Sequence, residues 1–110
     1  MNEEPMHIYY TRVEKNYKRL AGVLESAFNR AQKGKGRERH ASGEAFHEQP
    51  ICTEVKYFGI GCLLFQIRKK AQEVPRLAKE AAKKELYDII VYAAAACIAL
   101  EEKREKPKNL

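Results

Sequence analysis

The chain contains no tryptophan, and among its 110 residues only four are proline and six glycine. That shortage of turn-formers, beside a charged fraction of 33%, disfavours a strand-rich sandwich and favours helices. Its three cysteines, Cys52, Cys62 and Cys97, are odd in number and widely spaced, with no C-x-x-C pair. Neither a zinc site nor a disulfide framework follows from that spacing, so buried, reduced thiols are expected. The segment Met1-Asn2-Glu3-Glu4-Pro5 has no basic n-region and no apolar h-region, and a secretory signal is not expected there. The longest apolar run, Ile89 to Leu100, covers 12 residues and falls short of the ~20 that span a bilayer. These absences predict a cytoplasmic chain that does not enter a membrane.

What remains is 45% apolar residues, enough for one small core over residues 1–110, with oligomerisation expected to add to the buried surface. Basic residues exceed acidic ones by 21 to 15, a formal net charge of +6. The excess is concentrated at residues 12 to 39, with nine basic and three acidic side chains, and at 66 to 84, with seven and two. Such faces attract phosphate, on a mononucleotide or on a nucleic acid, although they also serve as plain solvated surface.

Met6, Tyr10, Val13, Tyr17, Leu20, Leu24, Ala27 and Ala31 recur by fours and threes, which predicts a long N-terminal helix with a heptad packing seam. Residues 33–49 lose that period and hold three glycines; they read as a flexible basic loop. Pro50 suits the first turn of a short helix reaching about Phe58, and Gly59-Ile60-Gly61 breaks it. A third helix is expected from Cys62 to about Glu73, with Pro75 ending it or opening the next. The last should cover Ala78 to Lys103, followed by a frayed tail at 104–110. From Ile89 to Leu100 this helix is apolar all round apart from Tyr92. Val91, Ala94 and Ile98 lie opposite Leu86, Ala93 and Leu100, so one partner surface cannot cover both sides, and a second subunit is expected. The predicted fold is therefore all-α: an antiparallel helical bundle with a long N-terminal helix and a C-terminal helical hairpin, oligomeric.

Glu85 and Asp88 stand three residues apart at the threshold of that apolar run, one turn apart on one helix face, with Tyr92 a turn further on. A carboxylate is seldom buried without a partner, so the pair should meet a cation, a basic side chain or a polar cavity. Structural ion pairs to Lys84, Lys69 or Arg68 are the plain alternative. Gln66, Lys69, Lys70 and Glu73 recur by threes and fours on the preceding helix, where Glu73 could add a third carboxylate; three oxygen ligands with waters would suit Mg2+.

The pattern Glu85-Leu86-x-Asp88-x-x-x-Tyr92 on an Ala-rich terminal helix, preceded by a basic helix, resembles the all-α nucleoside triphosphate pyrophosphatases of the MazG-like group. It is closer still to the nucleotide-modification-associated small helical domains often found in phages, and the resemblance covers about residues 50 to 102. It implies Mg2+ held by Glu85, Asp88 and a Glu-Glu-x-x-Glu cluster on the helix before. Here that helix reads Phe65-Gln66-Ile67-Arg68-Lys69-Lys70-Ala71-Gln72-Glu73, with one acid and three bases. Exchanging carboxylates for cations would let Arg68, Lys69 or Lys70 neutralise phosphate with no metal.

The loop Lys33-Gly34-Lys35-Gly36-Arg37-Glu38-Arg39-His40 lacks the P-loop pattern, but its glycines and cations could close over a phosphate or follow a nucleic-acid backbone. His40 and His47, with Glu44 and Glu48, match no metal-ligand spacing. Phe46, Tyr57 and Phe58 could stack on a base or pack in the core.

The expected function is recognition of a nucleotide or nucleotide-derived small molecule between the last two helices, sequestering a nucleotide signal in the manner of a phage anti-defence sponge, in the host cytoplasm if phage-encoded. Arg68, Lys69 and Lys70 would engage phosphate, helped by Lys35, Arg37 and Arg39; Gln66, Glu85 and Asp88 would bond to ribose or base; Tyr92 or Tyr57 would stack. That reading needs no cofactor. One alternative is a Mg2+-dependent nucleotide pyrophosphohydrolase using Glu73, Glu85 and Asp88. Another is a nucleic-acid-binding or protein-interaction module built on the basic loop.

Overall fold

The computed structural model describes residues 14–33 and 43–103. Among these residues helices are the only regular elements, with no strand. Helix α1 spans Lys18–Lys33, entered through a 3-10 turn at Lys15–Tyr17. A 3-10 turn at Phe46–Glu48 leads to two single-turn helices, α2 at Pro50–Thr53 and α3 at Val55–Phe58. Helix α4 runs Gly61–Glu73, a 3-10 turn Val74–Arg76 follows, and α5 runs Lys79–Lys103.

The punctuation residues explain these bounds. Pro50 opens α2, where its missing N–H costs nothing and its fixed φ suits the first turn. Gly59 ends α3 at φ 79° and ψ 170°, a conformation that only glycine adopts without strain. Gly61, by contrast, lies inside α4, so the break belongs to Gly59 alone. Pro75 falls in the 3-10 turn, which takes the chain out of α4. The helix predicted from Pro50 to Phe58 is divided at Glu54, whose backbone is itself helical (φ −62°, ψ −25°).

The seam predicted for the first helix is buried only in part. Its positions before residue 14 lie outside the described residues. Ala27 is 1% exposed, whereas Tyr17, Leu20 and Leu24 remain exposed. Helix α1 meets α5 around Ala27 and Arg30, and the first turns of α1 extend past that contact.

The core is a small cluster of Ile51, Cys52, Leu63, Ala95 and Ala96, flanked by Phe46, Val55, Ile60, Cys62, Val91, Tyr92 and Ile98. Leu63 packs in that cluster with Ala95 and Ala96, while Lys70, two turns later on α4, reaches Asp88 and Glu85, two and three turns earlier on α5. Later residues of α4 therefore meet earlier residues of α5. The three thiols are free. Cys52 is buried as expected, but Cys62 is only half-buried and Cys97 is exposed.

Helix α5 has three sides with different fates. One packs on α4 and the core through Ala95 and Ala96. A second faces α1 through Val91, Ala94 and Ile98. The third, carrying Leu86, Ala93, Cys97 and Leu100, is exposed. No helix among the described residues is long and apolar enough to cross a membrane.

Candidate functional site

Glu85 and Asp88 lie on the face of α5 turned toward α4 and α1, and both are half-buried. Lys70 of α4 donates from Nζ to Glu85 Oε1 at 2.9 Å and stands 3.6 Å from Asp88 Oδ2. Arg30 of α1 meets the other side of Asp88, donating from Nε to Oδ1 at 2.8 Å and from Nη2 to Oδ2 at 3.4 Å. This two-pronged contact is the geometry in which a guanidinium binds a carboxylate best. Two cations and two anions balance, and all four side chains keep a quarter or less of their exposure. Lys70 Nζ also lies 6.0 Å from the centre of the Tyr92 ring, at the outer reach of a cation–π contact.

The electrostatics follow from this geometry. The hydrogen bond to Asp88 raises the Arg30 pKa; burial opposes it, and the charges of Asp88 and Glu85 add to the rise. Burial pushes Lys70 down, but the hydrogen bond to Glu85 and the charges around it outweigh that penalty, so its pKa is raised. Both cations are held charged at neutral pH.

The plain alternative for the acids named Lys84, Lys69 or Arg68 as partners. The partners are Lys70 and Arg30 instead. Helical phase gives the reason on α4: consecutive residues are turned by 100°, so Lys70 points inward while Arg68 and Lys69 are exposed. The three expected phosphate ligands therefore do not converge on one point. Arg30 carried no sequence signal, being 58 residues from Asp88, although it flanks the seam residues Ala27 and Ala31.

The other predicted residues scatter. Gln66 is half-buried one turn before Lys70, on the same side of α4. Glu73 is exposed one turn beyond Lys70. Tyr57 is 80% exposed and pairs with Phe58, ring centres 6.5 Å apart and planes inclined at 58°. Phe46 packs against the core, and His47 and Glu48 are exposed. Lys35, Arg37, Arg39 and His40 lie outside the described residues.

Mg2+ does not fit the acids as they stand. Among the described residues no three His, Cys, Asp or Glu side chains come together to hold an ion. The space between Glu85 and Asp88 is taken by the Lys70 ammonium, which sets one positive charge against both carboxylates.

A cavity of about 600 Å3 lies on the α1 side of α5. Leu24 and Phe28 of α1 and Val91, Ala94 and Ile98 of α5 form its apolar walls, with Gln49 at its edge. Gln49 Nε2 donates to the Glu44 carbonyl at 3.1 Å, fastening a segment that contributes to the lining. Asp88 and Val91 are three residues apart, so the ion cluster and the cavity sit one turn apart along α5. Ion pairs thus occupy the contact between α4 and α5 at Lys70, Glu85 and Asp88, and the cavity described lies between α5 and α1. Compared with known proteins, the chain matches no family model, no curated protein and no solved structure.

Proposed function

We propose that this chain binds a nucleotide or nucleotide-derived small molecule and holds it intact. The observation that carries this reading is Lys70 seated between Glu85 and Asp88. A carboxylate pair used to hold a catalytic metal needs its oxygens free, whereas here they orient two cations, Lys70 and Arg30. An incoming phosphate can exchange for a carboxylate at either cation, with Arg68 and Lys69 outside adding attraction. The cavity one turn away has a volume in the range of small-molecule sites and apolar walls suited to a flat ring. Tyr92 borders the ion cluster, and Gln49 offers an amide at the cavity edge.

On the same reading, the chain is a diverged relative of the MazG-like all-α pyrophosphatases and of the phage nucleotide-modification-associated domains, acting as an anti-defence sponge in the host cytoplasm. Its helices form an antiparallel bundle, supported by the opposed order of contacts between α4 and α5, and it assembles as a homo-oligomer through α5. The test is equilibrium dialysis of labelled linear and cyclic nucleotides in EDTA. Binding by the native chain, weakened at least tenfold by Lys70→Gln, supports the reading. Binding that appears only with Mg2+ and is accompanied by release of pyrophosphate favours a hydrolase instead.

A further inference from the structure

We infer that the bare side of α5 is the interface with a second copy of this chain, the two α5 helices lying antiparallel and crossing at Ala93. This rests on the oligomeric part of the reading above and is independent of the nucleotide. Leu86, Ala93, Cys97 and Leu100 follow one another by seven, four and three residues and are all exposed, Leu86 at 45% and Leu100 at 50%. Such spacing forms a single stripe along a helix, about 21 Å long at 1.5 Å per residue. It is bordered on one edge by the α4 side, which carries Ala95 and Ala96, and on the other by the cavity side, which carries Ile90, Val91, Ala94 and Ile98.

Charge identifies the occupant and its direction. Lys83 is ten residues before Ala93 and Glu101 eight after it; at 100° per residue, both fall about 80° from Ala93 on the same edge of the stripe. Both are exposed. Antiparallel helices bring the same edge of each together, end to opposite end. Lys83 then meets Glu101 of the partner subunit, and the reciprocal pair forms by symmetry. Parallel helices related by a two-fold axis would instead place that edge of each copy on opposite sides of the contact, where Lys83 meets neither Glu101 nor Lys83 of the partner subunit. The apolar residues select the same register: Leu86 faces Leu100 of the partner subunit, and the small Ala93 sits on the two-fold axis, where the helices approach most closely. The midpoint of Leu86 and Leu100 is residue 93 and that of Lys83 and Glu101 is 92, so packing and charge agree within one residue.

This register predicts which thiols can cross-link. Cys97 would lie about 12 Å along the axis from its own counterpart, eight residues away, too far for a disulfide. A cysteine at the axis would bridge. The experiment combines sedimentation equilibrium of the full chain with mild oxidation. Expected are a dimer; disulfide-linked dimer from Ala93→Cys/Cys97→Ser but not from the native chain; an approximately tenfold weaker dimer with Lys83→Glu; and recovery in Lys83→Glu/Glu101→Lys. The substituted side chains are exposed, and an unchanged helical circular dichroism spectrum establishes that each variant folds. A native chain that is monomeric throughout overturns both this interface and the oligomeric reading. A dimer whose native Cys97 cross-links to itself, or whose charge swap brings no recovery, overturns the antiparallel register while leaving oligomerisation and nucleotide binding standing.

Discussion

Arg30 and Asp88, on two helices that the sequence separates by 58 residues, share two hydrogen bonds at 2.8 and 3.4 Å. Lys70 links the same carboxylate to Glu85, so α1, α4 and α5 are tied at one point. Neutralising Asp88 leaves two partly buried cations with a single carboxylate between them. Asp88→Asn is therefore expected to cost about 2 kcal/mol, between the cost for an exposed pair and that for a fully buried one. Urea unfolding at fixed protein concentration measures it, and a double-mutant cycle with Arg30→Met should give a coupling of about 1 kcal/mol or more. Lys79→Ala, at an exposed lysine of α5, should stay within about 0.5 kcal/mol.

Alkaline pH should weaken the fold. Burial pushes the Cys52 thiol up from 9.0 to about 11, with the charge of Glu102 adding to the rise. The Lys70 pKa is also raised, from 10.5. A raised pKa means that the folded state keeps a proton the unfolded chain gives up. The stabilisation is then complete below the unfolded value and is lost as pH rises through the folded one. Melting temperature should thus be flat up to about pH 9 and fall between pH 9 and 11. Cys52→Ala should flatten that interval; an unaltered fall in the variant would assign the loss to other groups.

The glycines that bracket Ile60 should respond oppositely. At Gly59, φ 79° and ψ 170° force any side chain into a strained backbone, and Gly59→Ala should destabilise by about 1–3 kcal/mol although space is open around it. Gly61 is helical, and an added Cβ meets nothing within 4 Å. There alanine should be neutral or stabilise by up to about 1 kcal/mol. Thermal unfolding of the two variants separates the cases.

Thiol chemistry should rank by position. Cys97 is exposed and Cys52 buried with a raised pKa, so a disulfide reagent at pH 8 should label Cys97 first and reach Cys52 only on opening of the fold. Mass spectrometry of partly labelled protein gives the order; early labelling of Cys52 would mean that the core around Leu63 and Ala95 is open.

Much of the helical frame was legible because particular residues punctuate it. Pro50 and Gly59 set α2 and α3, and the ends of α4 and α5 fall within one residue of those predicted. The three-residue spacing of Glu85 and Asp88 likewise placed both carboxylates in one environment. Long-range pairing left no such trace. Nothing in the local pattern around Arg30 names Asp88, and Lys70 differs from Lys69 and Arg68 only by the phase of its helix. The seam through Tyr17, Leu20 and Leu24 is periodic yet mostly exposed, because periodicity reports a face and not what covers it. The cavity between α1 and α5 was invisible for the same reason: Val91, Ala94 and Ile98 read as one apolar side, and the gap opposite them depends on how α1 lies.

The central claim is that the ion cluster and the adjoining cavity receive a nucleotide without consuming it. A thermal-shift screen of the full chain against linear and cyclic nucleotides, run with Mg2+ and again with EDTA, tests it most directly, because a ligand that binds only the folded state must raise the melting temperature. The account predicts a shift that persists in EDTA, is reduced in Lys70→Gln, and leaves the nucleotide intact on recovery. No shift with any nucleotide, or a shift that requires Mg2+ and ends in hydrolysis, would contradict it.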